Sequence, residues 1–266
     1  MGSKSYDFFD QLRFFAGYYN TNSSDTLRLN GQCGIPFENI EDDVYLNDFR
    51  KRYCLDKYVK DTDEDTVRYI LRWVFEILLH HSYIENTIHY TSSMDMIQKA
   101  RQSRINLNCY CHAYVLRDAL QSVGIAARLI YCLPINCDYF GNHVVVEFFD
   151  RRKRQWILVD PTYNIMFSDC GGNLLNLIAF RNEIITHRDV VIIDNNRFST
   201  LNRNRDELFL EYLNMIVPLL IVLQYESVSQ KKIKYYRLIP EKYMLPQQQF
   251  NGDIVYLNSY DNLYFI

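Results

Sequence analysis

The residues with the clearest chemical potential lie in the middle of the chain, at Cys109, His143 and Asp160. A cysteine thiolate attacks carbonyl carbons well. A histidine with one ring nitrogen held by a carboxylate can accept and return the thiol proton through the other nitrogen. If the fold brings the three side chains together, we expect attack on an amide or thioester and formation of an acyl-enzyme.

The position of Cys109 at the start of a predicted helix favours its reactivity. Asn108 is a good N-cap, Gly124 stands where a C-cap is expected, and the sequence predicts a helix over Asn108–Val123. Cys109 is then the first helical residue, where the positive end of the helix dipole stabilises a thiolate. One face of this helix is apolar and should pack on a sheet; it comprises Ala113, Leu116, Leu120 and Val123.

Cys111 is the competing nucleophile, because it lies only two residues further along the same helix. It is rotated by about 200° from Cys109 and falls on the more polar side, near Asp118 and Ser122. We therefore expect only Cys109 to point toward the sheet. The alternative interpretation is that both cysteines are small buried hydrophobic residues, as most free cysteines are.

A hairpin is predicted to bring His143 and Asp160 together. Two apolar runs, Val144–Phe149 and Gln155–Val159, flank the basic segment Arg151–Arg154, which we interpret as an exposed turn rather than an anionic docking site. A two-residue turn would place His143 directly opposite Asp160. A four-residue turn would shift the pairing by two and leave them as diagonal neighbours on the same face.

The remaining periodicity predicts an α+β fold, because a helix precedes antiparallel strands. We expect a single domain over residues 1–266. The other predicted helices are Asp61–His81 (with Thr62 as its cap), Leu174–Arg181 and Asp206–Leu223, and the other predicted strands are Arg128–Leu133, Lys232–Ile239 and Ile254–Leu257.

Composition excludes several classes of partner and compartment. The net charge is −3, with acids and bases interspersed, so no nucleic-acid partner is expected. The most apolar run, Met215–Leu223, contains Pro218 and is too short to span a bilayer, so no membrane partner is expected. Met1–Phe14 has no apolar signal core, and the seven cysteines are irregularly spaced. We expect a cytoplasmic protein with reduced thiols.

Three segments together resemble the transglutaminase-like superfamily, and its bacterial cysteine enzymes in particular. They are Asn108–Arg128, which ends in Gly-Ile-Ala-Ala-Arg, then Gly141–Glu147, in which His143 opens a strand, and Trp156–Asn164, which contains Trp-x-x-x-Asp-Pro. The order and spacing follow the family pattern. The resemblance extends over roughly residues 65–181, including Trp73 and the pair His80-His81.

The resemblance implies a papain-like α+β core and places the family's catalytic triad on Cys109, His143 and Asp160. It implies acyl transfer without a metal or an organic cofactor, on a peptide, protein or carrier-bound acyl substrate. Hydrolysis is the leading expectation; an amide-forming acyltransferase and a non-catalytic scaffold are the alternatives. The backbone N–H of Cys109 is one expected oxyanion donor. Asn106 is the candidate for the other, although loop packing is the favoured interpretation of this residue.

Two positions depart from the family pattern. Leu107 stands where a glycine is common, and His112 stands where an aromatic residue is common. A zinc site is the competing interpretation of this region, with ligands drawn from Cys109, Cys111, His112, Cys132, Cys137 and His143. The sequence has no Cys-x-x-Cys pair, which disfavours zinc.

Overall fold

The computed structural model describes residues 43–78, 92–103, 107–133, 143–185, 189–194, 220–227, 232–238 and 253–257. Five α-helices lie in this part of the chain: α1 Val44–Tyr53, α2 Asp63–Ile77, α3 Ser93–Ser103, α4 Cys109–Ser122 and α5 Leu177–Ile185. A short 3-10 helix, Leu55–Tyr58, follows α1. The predicted helix Leu174–Arg181 thus begins three residues late, because Leu174 instead forms a β-bridge with Ser168.

Helix α2 confirms the prediction made from its capping residue and its periodicity. The Thr62 side chain accepts a hydrogen bond from the backbone N–H of Asp65 at 3.0 Å, which satisfies one unpaired donor of the first turn. The apolar face is buried and comprises Val67, Ile70, Leu71 and Val74. The last predicted residues of this helix, 79–81, lie outside the described residues.

Within the residues that the structure describes, eight strands form one sheet in the order β5-β4-β3-β2-β1-β6-β7-β8. They are β1 Ala127–Leu133, β2 His143–Asp150, β3 Gln155–Asp160, β4 Ile165–Ser168, β5 Val191–Asp194, β6 Leu220–Ser227, β7 Lys232–Leu238 and β8 Asp253–Leu257. All neighbouring pairs are antiparallel except β7 and β8, which are parallel. The α+β class is therefore confirmed.

One predicted helix is partly wrong. Residues 220–223, the end of the predicted helix Asp206–Leu223, belong to strand β6 and pair with β1. A short apolar run fits a buried strand as well as a buried helix, and pairing with β1 decides between them here. The preceding residues, 206–219, lie outside the described part of the chain.

Helix α4 is the central helix of the fold, with β1 and β2 on one side and α1, α2 and α3 on the other. Cys111 lies on the more polar side of this helix, near Asp118 and Ser122, but it is only 1% exposed. The polar residues of that side are buried between helices. Asp118 accepts hydrogen bonds from Ser93 Oγ at 2.7 Å and Tyr45 Oη at 3.3 Å.

The hairpin between β2 and β3 has a four-residue turn, since Asp150 pairs with Gln155. This turn, Arg151–Arg154, is exposed as expected, but it also contacts the acidic first turn of α2. Arg151 Nε donates to Asp63 Oδ2 at 2.9 Å, and Lys153 donates to Glu64 at 2.7 Å. These ion pairs attach the tip of the hairpin to the helical layer.

Among the described residues, the helices are all too short or too polar to cross a membrane. The extent of the single domain remains a prediction.

Candidate active site

Helix α4 begins at Cys109, as predicted. The Asn108 side chain accepts a hydrogen bond from the backbone N–H of Cys111 at 3.0 Å, and the extended Asn108 backbone (φ −82°, ψ 175°) ends the preceding loop. The Cys109 side chain is partly exposed and contacts the hydrophobic core. The thiol therefore lies at the positive end of a 14-residue helix without being sealed from solvent.

His143 and Asp160 form a buried pair on the sheet. His143 opens β2 and Asp160 closes β3, and the register Val146–Val159 makes them diagonal neighbours, as a four-residue turn requires. His143 Nε2 lies 2.6 Å from Asp160 Oδ2, and the two residues are 3% and 0% exposed. An N–H on Nε2 that donates to this carboxylate leaves Nδ1 to exchange a proton with another group.

The turn after β3 holds the Asp160 carboxylate in place. Its second oxygen, Oδ1, accepts a hydrogen bond from the backbone N–H of Thr162 at 2.7 Å. The Tyr163 ring lies 6.1 Å from the His143 ring, centroid to centroid, with a tilt of 35°. Asn164 then adopts a left-handed conformation (φ 57°) at the end of the turn that leads into β4. The carboxylate is thus fixed by strand and turn together.

The Cys109 thiol contacts the His143 ring, and this contact links helix α4 to the sheet. Burial disfavours the charged ring, but the Asp160 carboxylate and the hydrogen bond with Cys109 outweigh it and raise the pKa of His143 to about 10. A ring that retains its proton beside a thiol is suited to pair with a thiolate and to deliver a proton to a leaving group.

The other cysteines near this contact differ from Cys109 in their surroundings. Burial raises the pKa of Cys111 to about 12. Burial also raises the pKa of Cys132, which pairs with His143 across β1 and β2. Both thiols are held protonated at neutral pH. Cys54 and Cys170 are exposed, one after α1 and one after β4.

The surroundings of His112 in this region could not be predicted from the sequence. Its ring is fully buried and lies between two backbone carbonyl groups. Nε2 is 2.6 Å from the oxygen of Leu78, and Nδ1 is 3.1 Å from the oxygen of Asn108. The sequence signals it only as a histidine where the family commonly has an aromatic residue, and Leu78 is 34 positions away.

Three other residues of the family-like segments support the sheet rather than the site. Arg128 forms a buried ion pair with Glu147 at 2.7 Å, and its guanidinium stacks 4.0 Å from the Trp156 ring centroid. The second Glu147 oxygen accepts from the backbone N–H of Leu177 at 2.8 Å, at the start of α5. This network joins β1, β2, β3 and α5.

Asn106, the predicted side-chain oxyanion donor, lies outside the described residues. Cys137, one of the potential zinc ligands, lies outside them as well. Within the described ranges, no three His, Cys, Asp or Glu side chains are grouped so that they could hold a metal ion.

Comparison with known proteins gives one family and one solved structure. Residues 55–161 match the family model of the transglutaminase-like superfamily. The solved structure is titled a "putative cysteine protease" from Cytophaga hutchinsonii; identity is 17%, 56% of this chain is covered, and the TM-score is 0.34. The match spans 47% of that protein, about half its length. No curated protein matches the chain.

Proposed function

We propose that this chain, which belongs to the transglutaminase-like superfamily through residues 55–161, uses Cys109, His143 and Asp160 to attack an amide or thioester carbonyl. Family membership supports a cysteine-dependent enzyme in general. The single observation that carries the finer proposal is the position of His143, which contacts the Cys109 thiol and lies 2.6 Å from the Asp160 carboxylate.

Acylation would proceed in two proton transfers around His143. Because its pKa is raised, His143 would already hold the thiol proton on Nδ1 before attack, and the Cys109 thiolate would bond to the carbonyl carbon, which gives a tetrahedral oxyanion. The oxyanion collapses, the bond to the leaving group breaks, and His143 returns the proton to the departing amine or thiol. The product is a thioester between the acyl group and Cys109.

Asp160 would act through His143 rather than on the substrate. Its carboxylate holds Nε2–H, so that Nδ1 faces the reaction, and it stabilises the ring when the ring is charged. The backbone N–H of Cys109, at the start of α4, is the proposed donor to the oxyanion. The Asn106 side chain remains the proposed second donor.

Hydrolysis of the thioester is the leading outcome for the acyl group. His143 would take a proton from a water molecule, whose oxygen attacks the thioester carbonyl and releases the carboxylic acid and the Cys109 thiol. Cys109 is a partly exposed residue, which favours this outcome because water is then available close to the thioester. The corresponding activity is that of a protease, amidase or deamidase.

Transfer of the acyl group to an amine is the second candidate. His143 and Asp160 are 3% and 0% exposed, so the proton acceptor itself is shielded from bulk water. Such shielding is what an enzyme needs to let an amine compete with water for a thioester. The acyl donor would then be a peptide, a protein or a carrier-bound thioester.

A trapping experiment distinguishes these outcomes. The protein is incubated with a panel of peptide amides and thioesters, and the acyl group on Cys109 is identified by peptide mass spectrometry. The acyl-enzyme is then chased with water alone or with a panel of amines. Faster release in water supports hydrolysis, whereas amines acylated much faster than water support the transferase.

Matched controls isolate the proposed nucleophile. Cys109→Ala should not accumulate any acyl adduct, and Cys111→Ala should accumulate it as the wild type does. An adduct on Cys111 or Cys132 in the wild type would contradict the assignment of the nucleophile.

A further inference from the structure

We propose that His112 is a positioning residue that fixes the first turn of α4, and with it the Cys109 thiol, against the C-terminal end of α2. This inference rests on the proposed role of Cys109 as the nucleophile. The His112 side chain is buried and takes no part in the proton transfers described above. A positioning role would explain why a histidine stands at this position.

The contacts of His112 join two helix ends. Leu78 caps the C-terminus of α2, where the last carbonyl groups have no partner within the helix. His112 Nε2 lies 2.6 Å from that carbonyl oxygen, a hydrogen-bond distance. Nδ1 lies 3.1 Å from the carbonyl oxygen of Asn108, the residue that directly precedes Cys109.

The chemistry of these contacts assigns a tautomer to the ring. Both neighbours are carbonyl oxygens, so each can only accept a hydrogen bond, while a neutral imidazole has a single N–H. Burial lowers the pKa of His112, which keeps the ring neutral at neutral pH. The shorter contact is with Leu78, and the Asn108 oxygen already accepts from the backbone N–H of His112 at 3.2 Å. The proton therefore lies on Nε2.

Asn108 connects His112 to the candidate active site. Its side chain caps α4, its carbonyl accepts a hydrogen bond from the backbone N–H of His112, and the next residue carries the thiol. If the ring no longer holds the end of α2, the first turn of α4 loses a fixed point on the side away from the sheet. The Cys109 sulfur would then lose its alignment with His143, and misplacements of about 1 Å cost up to about 100-fold in rate.

Three substitutions separate positioning from packing. His112→Phe keeps approximately the ring volume and removes the hydrogen bond to Leu78. His112→Gln places an amide N–H near the position of Nε2 and can still donate to Leu78. His112→Asn places its amide near Nδ1 and cannot reach Leu78. The readout is the rate of Cys109 alkylation by iodoacetamide on folded protein, followed by peptide mass spectrometry, with melting temperatures measured in parallel.

We expect alkylation of Cys109 to slow by about 10-fold in His112→Phe, because the thiol is then only partly aligned with His143. His112→Gln should react several-fold faster than His112→Phe and faster than His112→Asn. A wild-type rate in His112→Phe would show that the ring only fills space. A His112→Gln rate no higher than that of His112→Asn would show that the Leu78 contact has no effect on the thiol, and this comparison remains decisive if His112→Phe does not fold.

Nitrogen NMR of the wild-type protein gives an independent check. The His112 ring should show a protonated Nε2 and an unprotonated Nδ1 at pH 7, and the opposite tautomer or a doubly protonated ring would overturn the proposal. Failure of the proposed function would differ from either result, because the wild-type Cys109 would then react no faster than the exposed Cys54.

Discussion

Two buried histidines lie close to the start of α4, and they have opposite electrostatic surroundings. His143, on the sheet, faces the Asp160 carboxylate and the Cys109 thiol, and its pKa is raised to about 10 despite burial. His112, within the helix, faces two backbone carbonyl groups, and burial lowers its pKa. Equal burial thus leads to opposite charge states, because a carboxylate compensates the cost of burying a charged ring and neutral carbonyls do not.

The comparison indicates that the two histidines have different roles. A histidine that exchanges protons with a thiol needs a partner that stabilises its charged form, and Asp160 is such a partner. A histidine that holds two helix ends together is served better by a fixed neutral tautomer. We therefore expect substitutions of the two rings to differ in size and in kind.

The largest effect is expected for the ring on the sheet. His143→Ala should lower turnover by about 10⁴-fold or more. It should lower alkylation of Cys109 at neutral pH by up to about 100-fold, because a thiol without its proton acceptor is still a few per cent thiolate. His112→Phe should lose less, up to about 100-fold in turnover and about 10-fold in Cys109 alkylation. Side-by-side measurement of Cys109 alkylation rates tests this ranking. Equal rates of Cys109 alkylation in wild type and His143→Ala would contradict the role assigned to His143.

A smaller effect is expected for the carboxylate. Asp160→Asn keeps the shape of the side chain but cannot stabilise a charged ring, and we expect a loss of about 10²- to 10⁴-fold in turnover. The loss in Cys109 alkylation should be smaller than that of His143→Ala, because Asp160 acts only through the ring. An Asp160→Asn variant less reactive than His143→Ala would contradict this order of roles.

In a Cys109→Ala background no thiol titrates beside the His143 ring. The pH dependence of the free energy of unfolding should then show the contribution of His143 protonation. A histidine whose pKa is raised by folding contributes stability that is fully present below about pH 6.5 and is lost as the pH rises toward its folded pKa. Without the thiol, the pKa of His143 in the folded protein lies below about 10. The free energy of unfolding should fall by at most about 1.4 kcal/mol per pH unit across this range.

Two double variants serve as controls for the pH measurement. Cys109→Ala/Asp160→Asn should lose the decline above pH 6.5, because the ring then has no charged partner. Cys109→Ala/His112→Gln should keep that decline and instead lose part of the decline below pH 6.5. The reason is that the lowered pKa of His112 contributes stability above pH 6.5 that disappears as the pH falls. An alkaline decline that survives Asp160→Asn would contradict the assignment to His143.

The smallest effect is expected for the buried cysteines. Cys111→Ala and Cys132→Ala remove thiols that burial keeps protonated, so Cys109 alkylation should stay within about two-fold of wild type. Each variant should lose only about 1 kcal/mol of unfolding free energy, for the small cavity that it leaves. A large drop in Cys109 alkylation in either variant would show that a neighbouring thiol participates.

Local rules account for the parts of the site that could be predicted from sequence. Asn108 is a strong N-cap, so the start of α4 at Cys109 follows from local chemistry. The period of two in a strand keeps His143 and Asp160 on one face for either turn length considered, and the structure has the four-residue turn.

The parts that could not be predicted depend on distant neighbours. Helical periodicity identifies the side on which Cys111 lies, but not that three other helices cover that side. The strand at residues 220–223 depends on pairing with β1, about 90 residues earlier in the chain. The role of His112 depends on the end of α2, and no local pattern around His112 specifies that contact.

The most direct test of the account is a competition among the thiols of the native protein. Iodoacetamide is added below one equivalent at neutral pH, and peptide mass spectrometry measures how the label is distributed. The account predicts that Cys109 is labelled first, ahead of the exposed Cys54 and Cys170, and that His143→Ala abolishes this preference. Preferential labelling of Cys111, or labelling of Cys54 as fast as Cys109, would contradict it.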